Sequence, residues 1–116
     1  MDVSSAKIRQ FIRKLIDRVM AAQHQNALLI SAYQKGIAEF DPNAVYEMIK
    51  HDYTTQGIKH PCGGFAGNIY MSDYMEYGYV PEETGATSHT MEYAFDDWCL
   101  SQFAVALNKK KDAKYF

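Results

Sequence analysis

The chain has little of what defines membrane spans, disulfide frameworks or nucleic-acid-binding surfaces. Its two cysteines, Cys62 and Cys99, show no CxxC or cysteine–histidine spacing, so neither a zinc site nor a disulfide framework is predicted. Both are expected to be buried thiols. No apolar run reaches the roughly 18 residues that a membrane span needs. Lys plus Arg number 12 and Asp plus Glu 14, giving a net charge of −2, which does not favour a nucleic-acid partner.

The N-terminus also lacks the continuous apolar core of a secretory signal. Residues 1–25 are instead basic and amphipathic, with apolar residues recurring at i, i+3, i+4 and i+7 between Ile8 and Met20. An ordinary packed helix accounts for this pattern.

The rest of the chain predicts an all-α domain of helices joined by one long loop. Residues 27–37 form an apolar helix that stops at Gly36. Asp41 is a good N-cap for the next helix, with Pro42 at its first position. The inner face of this second helix is predicted to consist of Ala44, Val45, Met48 and Ile49.

Between about residues 54 and 87 the helical pattern is lost, and six of the seven glycines lie there. Long loops in compact domains are more often binding loops than linkers. Ser88 is the predicted N-cap of a further helix over residues 89–107, and Asp112 begins another.

An acidic stretch within the third predicted helix is the strongest candidate site. Glu92 and Asp96 lie one turn apart on the stripe that also carries His89, and Asp97 and Trp98 follow directly. Buried acids need a cation, a metal or ligand hydroxyls. The spacing alone leaves two interpretations open, a salt-bridged or capping pair and a ligand site. The apolar faces of this helix carry Met91, Phe95, Trp98 and Phe103.

Three tyrosines surround a glycine at residues 74–81, just before this helix. A tyrosine ring with its hydroxyl suits the C–H face and hydroxyl rim of a pyranose. These rings could equally close the end of the helical core.

Four segments in this order resemble glycoside hydrolase family 92, the calcium-dependent exo-acting α-mannosidases. They are AYQKGI at 32–37, FD at 40–41, YGYVP at 77–81 and EYAFDDWC at 92–99. The resemblance covers roughly residues 26–116 and leaves residues 1–25 outside it.

The resemblance implies that residues 26–116 are a fragment of an (α/α)6 barrel catalytic domain. It implies inverting, calcium-dependent release of mannose from α-mannosides of the N-glycan type. The implied partners are α-mannoside glycans and the remainder of the parent catalytic domain.

In the family, the catalytic carboxylates and the main calcium ligands are expected downstream of Phe116. Glu92 and Asp96 are about 6 Å apart at the backbone, closer than the roughly 6.5–9.5 Å of an inverting pair. The expected site-shaping residues are therefore Glu92, Asp96, Asp97, Trp98, Tyr77 and Tyr79, with no catalytic residue in this chain.

Two further expectations follow. The isolated chain should lack mannosidase activity and should self-associate through an apolar patch of Phe95, Trp98 and Phe103. The alternative function is a small, non-catalytic helical interaction module, in which the basic helix of residues 7–23 docks into a partner's groove.

Overall fold

The computed structural model describes residues 24–37, 39–59, 61–62 and 65–116. These ranges form α1 (Gln25–Gln34), α2 (Pro42–Thr54), β1 (Ile58–Lys59), β2 (Phe65–Ala66), α3 (Met71–Tyr77), α4 (Thr87–Ala106) and α5 (Lys110–Tyr115). The predicted all-α class is confirmed, because the strands are only two residues long. The predicted helix of residues 7–23 lies outside the described residues. None of the described helices is long and apolar enough to cross a membrane.

The ends of α1 and α2 follow the sequence signals. Gly36 adopts a left-handed conformation (φ 68°), which ends α1 at low steric cost. Asp41 caps α2, its side chain accepting a hydrogen bond from the backbone N–H of Asn43 at 3.0 Å. Pro42 occupies the first turn, where its missing N–H is not needed.

The start of α4 differs from the prediction. Its N-cap is Ala86, which provides no side-chain hydrogen bond, and Ser88 lies inside the first turn. The backbone N–H of His89 instead donates to the carbonyl of Ala86 at 2.9 Å. After α4, Asn108 takes a positive φ of 58° and turns the chain into α5. The predicted helix around Asp112 is confirmed.

The segment predicted as one long loop contains regular structure. β1 and β2 pair antiparallel, with Ile58 opposite Ala66 and Lys59 opposite Phe65. α3 then covers the first part of the tyrosine motif, up to Tyr77, and ends at Gly78 with a φ of 78°. The prediction of a helix-free, strand-free segment was wrong because short elements leave little periodicity in the sequence.

α4 is the central element, since it packs against α1, α2 and α5. It contributes to two apolar clusters of buried residues. We call the larger cluster the main core, and it contains Ile30, Tyr46, Ile49, Tyr53, Cys99, Leu100, Phe103 and Ala104. We call the smaller cluster the tyrosine core, and it contains Met71, Val80 and Tyr93.

Several predicted surfaces are corrected by this packing. Phe103 is completely buried, so it is not part of an exposed patch. On α2, Tyr46 and Tyr53 fill the main core, whereas Ala44 is exposed. Cys99 is buried as expected, but Cys62 is exposed.

Two contacts attach α5 to α2. The carboxylate of Asp112 accepts hydrogen bonds from the Tyr46 hydroxyl at 2.7 Å and from the Lys50 ammonium at 2.8 Å. The same hydrogen bond from Lys50, followed by that from Tyr46, lowers the pKa of Asp112. The C-terminal helix is thereby held next to the acidic helix α4.

Candidate functional site

Glu92 and Asp96 meet a histidine that is distant in sequence. His24, directly before α1, forms an ion pair with Glu92 through Nε2 and places Nδ1 3.2 Å from Oδ1 of Asp96. Each ring nitrogen of this imidazole therefore faces one carboxylate, and His24 bridges Glu92 and Asp96. We call these three residues the histidine triad. The salt-bridged interpretation of the pair is the one that the contacts support.

His89, which shares the stripe of Glu92 in the sequence, is not the partner. Its Nδ1 lies 3.3 Å from the carbonyl oxygen of Ala86, and its ring packs edge-on to Tyr70 at 4.8 Å. Histidine 24 could not have been identified from helical spacing, because 72 residues separate it from Asp96.

Asp96 is the most buried member of the triad, with 1% of its surface exposed. Tyr53 of α2 is hydrogen-bonded to it, and burial together with the charge of Asp96 raises the pKa of Tyr53. Asn26 of α1 also faces the Tyr53 hydroxyl. This carboxylate therefore ties α1, α2 and α4 together at the edge of the main core.

Asp97 enters a different environment, on the side of α4 that faces α3. The hydroxyl of Tyr74 donates to Oδ2 of Asp97 at 2.8 Å. Burial raises the pKa of Asp97 to about 6, and the hydrogen bond from Tyr74 opposes this shift. A cavity of about 240 Å³ lies beside them and is lined by Tyr74, Met75, Gly78, Asp97, Tyr115 and Phe116.

Tyr77 and Tyr79 flank Gly78, which lines this cavity, but neither tyrosine is among the lining residues. Both rings are about half exposed, and their centroids are 6.2 Å apart. Tyr74, which sequence reasoning did not select, is the tyrosine that contacts Asp97. Tyr74 could have been selected from its position three residues before Tyr77 only if this short helix had been predicted instead of a loop.

Trp98 lies on a third side of α4, next to α1. Its indole is 58% exposed and stacks on Phe95, with ring centroids 6.3 Å apart and an interplanar angle of 29°. The two rings form one wall of a cleft of about 240 Å³. His24 touches the other end of Phe95 edge-on, at 5.6 Å.

The predicted site residues therefore do not converge on one point. Glu92 and Asp96 meet at His24, Asp97 faces Tyr74, and Trp98 faces α1. Among the residues that the structure describes, no group of three or more His, Cys, Asp or Glu side chains could hold a metal ion. By themselves, the acids of α4 do not complete the set of six to eight oxygen ligands that calcium requires.

Comparison with known proteins identifies the kind of domain to which these helices belong. The family model of the glycosyl hydrolase family 92 catalytic domain matches residues 12–116. A solved inverting mannosidase of family 92 from Bacteroides thetaiotaomicron VPI-5482 is similar, with 33% identity, a TM-score of 0.72 and coverage of 83% of this chain. This chain spans 13% of that protein's chain. No curated protein matches the sequence.

The chain belongs to glycosyl hydrolase family 92, as the four sequence segments predicted. The matched range begins at residue 12 and so includes part of the N-terminal segment.

Proposed function

We propose that this chain is part of an (α/α)6 catalytic domain that releases mannose from α-mannosides, such as those of N-glycans, with inversion. The observation that carries the proposal is the similarity to an inverting mannosidase of family 92, at 33% identity over 83% of the chain. Since the chain spans 13% of that protein, most of the working domain lies in other residues. The hydrolysis is a property of the assembled domain.

The acid and the base of this reaction come from outside the described residues. Inversion requires one carboxylic acid to protonate the departing oxygen and one carboxylate to activate water. Glu92 and Asp96 both contact the imidazole of His24, so neither carboxylate is free to protonate a leaving group or to activate water. They cannot act as such a pair while the histidine triad is intact.

Calcium is expected by family resemblance, with ligands outside the described residues. Asp96 is committed to His24 and Tyr53, and Asp97 to Tyr74. The proposal therefore assigns no calcium ligand to these two residues.

The six predicted site residues divide into two roles in this proposal. Asp96 is structural, because it is buried and joins three helices. The residues that present polar or aromatic surface toward glycan are Glu92, Asp97, Trp98, Tyr77 and Tyr79. Their half-buried or exposed positions leave them able to contact a sugar in the assembled domain.

The decisive experiment assays the intact domain on an aryl α-mannoside and follows the product by proton NMR. We expect β-mannose to appear first, EDTA to abolish turnover and added calcium to restore it. Initial release of the α-anomer, or full activity in EDTA, would contradict the proposal. The purified 116-residue chain assayed alone should show no turnover.

The alternative, a helical interaction module, depends on the basic segment 7–23, which lies outside the described residues. Reading the transcript beyond the codon for Phe116 separates the two functions. A continuation of enzyme length favours the hydrolase, whereas a stop codon in several independent transcripts favours the module.

A further inference from the structure

We propose that the cleft between α1 and α4 binds a single hexopyranose ring, with Trp98 and Phe95 as its stacking surface and the side chains of Gln34 and Gln102 as its polar rim. This inference rests on the proposed function and adds a named subsite to it. The cleft is separate from the histidine triad and from the Asp97 cavity.

The aromatic wall is available to a ligand. Trp98 is 58% exposed and Phe95 47% exposed, and the two rings are close to parallel. Both rings line the cleft, so a ligand there meets the aromatic surface of two residues. The C–H face of a pyranose packs against such a surface, and the electron-rich ring faces attract its polarised hydrogens.

The rim of the cleft supplies the polar groups that an apolar docking groove would lack. Ser31 and Gln34 come from α1, and Gln102 comes from α4, one turn after Trp98. Gln34 is exposed, and Ser31 and Gln102 are partly exposed, so their hydroxyl and amide groups are accessible from the cleft. Primary amides both donate and accept, which matches the hydroxyls of a sugar.

The floor of the cleft is buried and uncharged. Ile30 and Cys99 close the bottom of the cleft, and both are buried in the main core. The volume of about 240 Å³ accommodates one sugar ring. Since neither wall carries a charge, the cleft suits a neutral hexose better than a phosphate or a sialic acid.

Trp98 is the only tryptophan in the chain, so its fluorescence reports on this cleft alone. The test titrates the full chain with methyl α-mannopyranoside and follows Trp98 emission. We expect a saturable change in the millimolar range. Mannitol, which carries hydroxyls but no ring face, should give no saturable change.

Two substitutions probe the two parts of the cleft. Phe95→Ala should weaken binding more than fivefold by removing half of the stacking surface. Gln102→Leu, which retains the side-chain stem, should weaken binding about two- to tenfold by removing a hydrogen bond. Met91→Ala, another truncation of an exposed apolar side chain on α4 outside the cleft, is the matched control and should bind like the wild type.

Three results would contradict the inference. If the chain is folded and its Trp98 emission does not change with the mannoside, the subsite does not exist. An equal response to mannitol indicates a solvent effect, and a change that follows protein concentration indicates that a second copy of the chain fills the cleft. Because no turnover is measured, these failures are distinguishable from a failure of the NMR assay for mannoside hydrolysis.

Discussion

Asp96 and Asp97 are adjacent residues of α4 whose side chains enter different parts of the molecule. Asp96 is buried at the edge of the main core, with His24 and Tyr53 as partners. Asp97 is half-buried near the tyrosine core, and Tyr74 hydrogen-bonds to it. Successive residues of a helix are rotated by about 100°, so one acidic motif serves two environments.

The difference between the partners decides what each charge contributes. A histidine that can carry a positive charge offsets much of the cost of burying Asp96. A hydroxyl donor offsets less, and burial accordingly raises the pKa of Asp97 to about 6. The comparison predicts that the Asp96 carboxylate stabilises the fold and that the ionised Asp97 carboxylate destabilises it.

Asp96→Ala should have the largest effect. The substitution removes the acceptor that His24 and Tyr53 share and leaves a small cavity between three helices. We expect the free energy of unfolding in urea to fall by about 2–4 kcal/mol. Asp96→Asn, which retains the volume, should lose less. If Asp97→Ala costs more than Asp96→Ala, the proposed division between the two acids is wrong.

His24→Gln should have the next largest effect. It removes the imidazole that contacts Asp96, but the His24 side chain is 44% exposed, so water can partly replace it. We expect a loss of about 1–2 kcal/mol. A double-mutant cycle measures the coupling, which should be larger for His24 with Asp96→Asn than for His24 with Glu92→Gln, because Glu92 is more exposed. Equal coupling energies would show that burial does not determine how strongly each carboxylate of the histidine triad pairs with His24.

Asp97→Asn should stabilise the chain, and the gain should depend on pH. The unfolded carboxyl titrates near 3.8 and the folded one at about 6, so the wild type loses stability as pH rises between these values. Asparagine still accepts from Tyr74 without this loss. We expect the variant to gain about 1 kcal/mol above pH 6, allowing for solvent screening, and nothing near pH 3.

Thermal melts at several pH values give this comparison. Tyr74→Phe is the control. Losing the hydroxyl donor should raise the folded pKa of Asp97 further, so the pH range over which stability is lost should extend upward. A gain from Asp97→Asn that is the same near pH 3 and pH 7.5 would show that the charge is not the cause.

Local signals of the fold were readable in the sequence, whereas its long-range pairings were not. Gly36 and the Asp41–Pro42 cap mark helix ends because each acts through its own backbone geometry. α3 was missed because a seven-residue helix spans barely two turns and leaves little periodicity. Motif resemblance identified the family without identifying these contacts.

The candidate site shows the same limit. Glu92 and Asp96 were expected to need a cation, a metal or ligand hydroxyls as partners, and both contact the imidazole of His24. The identity of this partner depends on how α1 packs on α4, which spacing along one helix cannot reveal. The burial of Phe103 was also missed, because apolar residues occur on every side of α4 and do not mark one inner face.

Asp112→Asn should have the smallest effect and the opposite pH dependence to Asp97→Asn. Asp112 lies near the surface, where hydrogen bonds from Lys50 and Tyr46 lower its pKa. A lowered pKa means that the ionised carboxylate stabilises the fold above its unfolded pKa and that this contribution is lost as the pH falls through the folded pKa. The variant should therefore be about 0.5 kcal/mol less stable than the wild type at pH 7 and equal to it in strong acid. Thermal melts of the Asp97→Asn and Asp112→Asn variants across one pH series should show stability changes of opposite sign relative to the wild type. Changes of the same sign would show that pairing with a cation does not distinguish these two carboxylates.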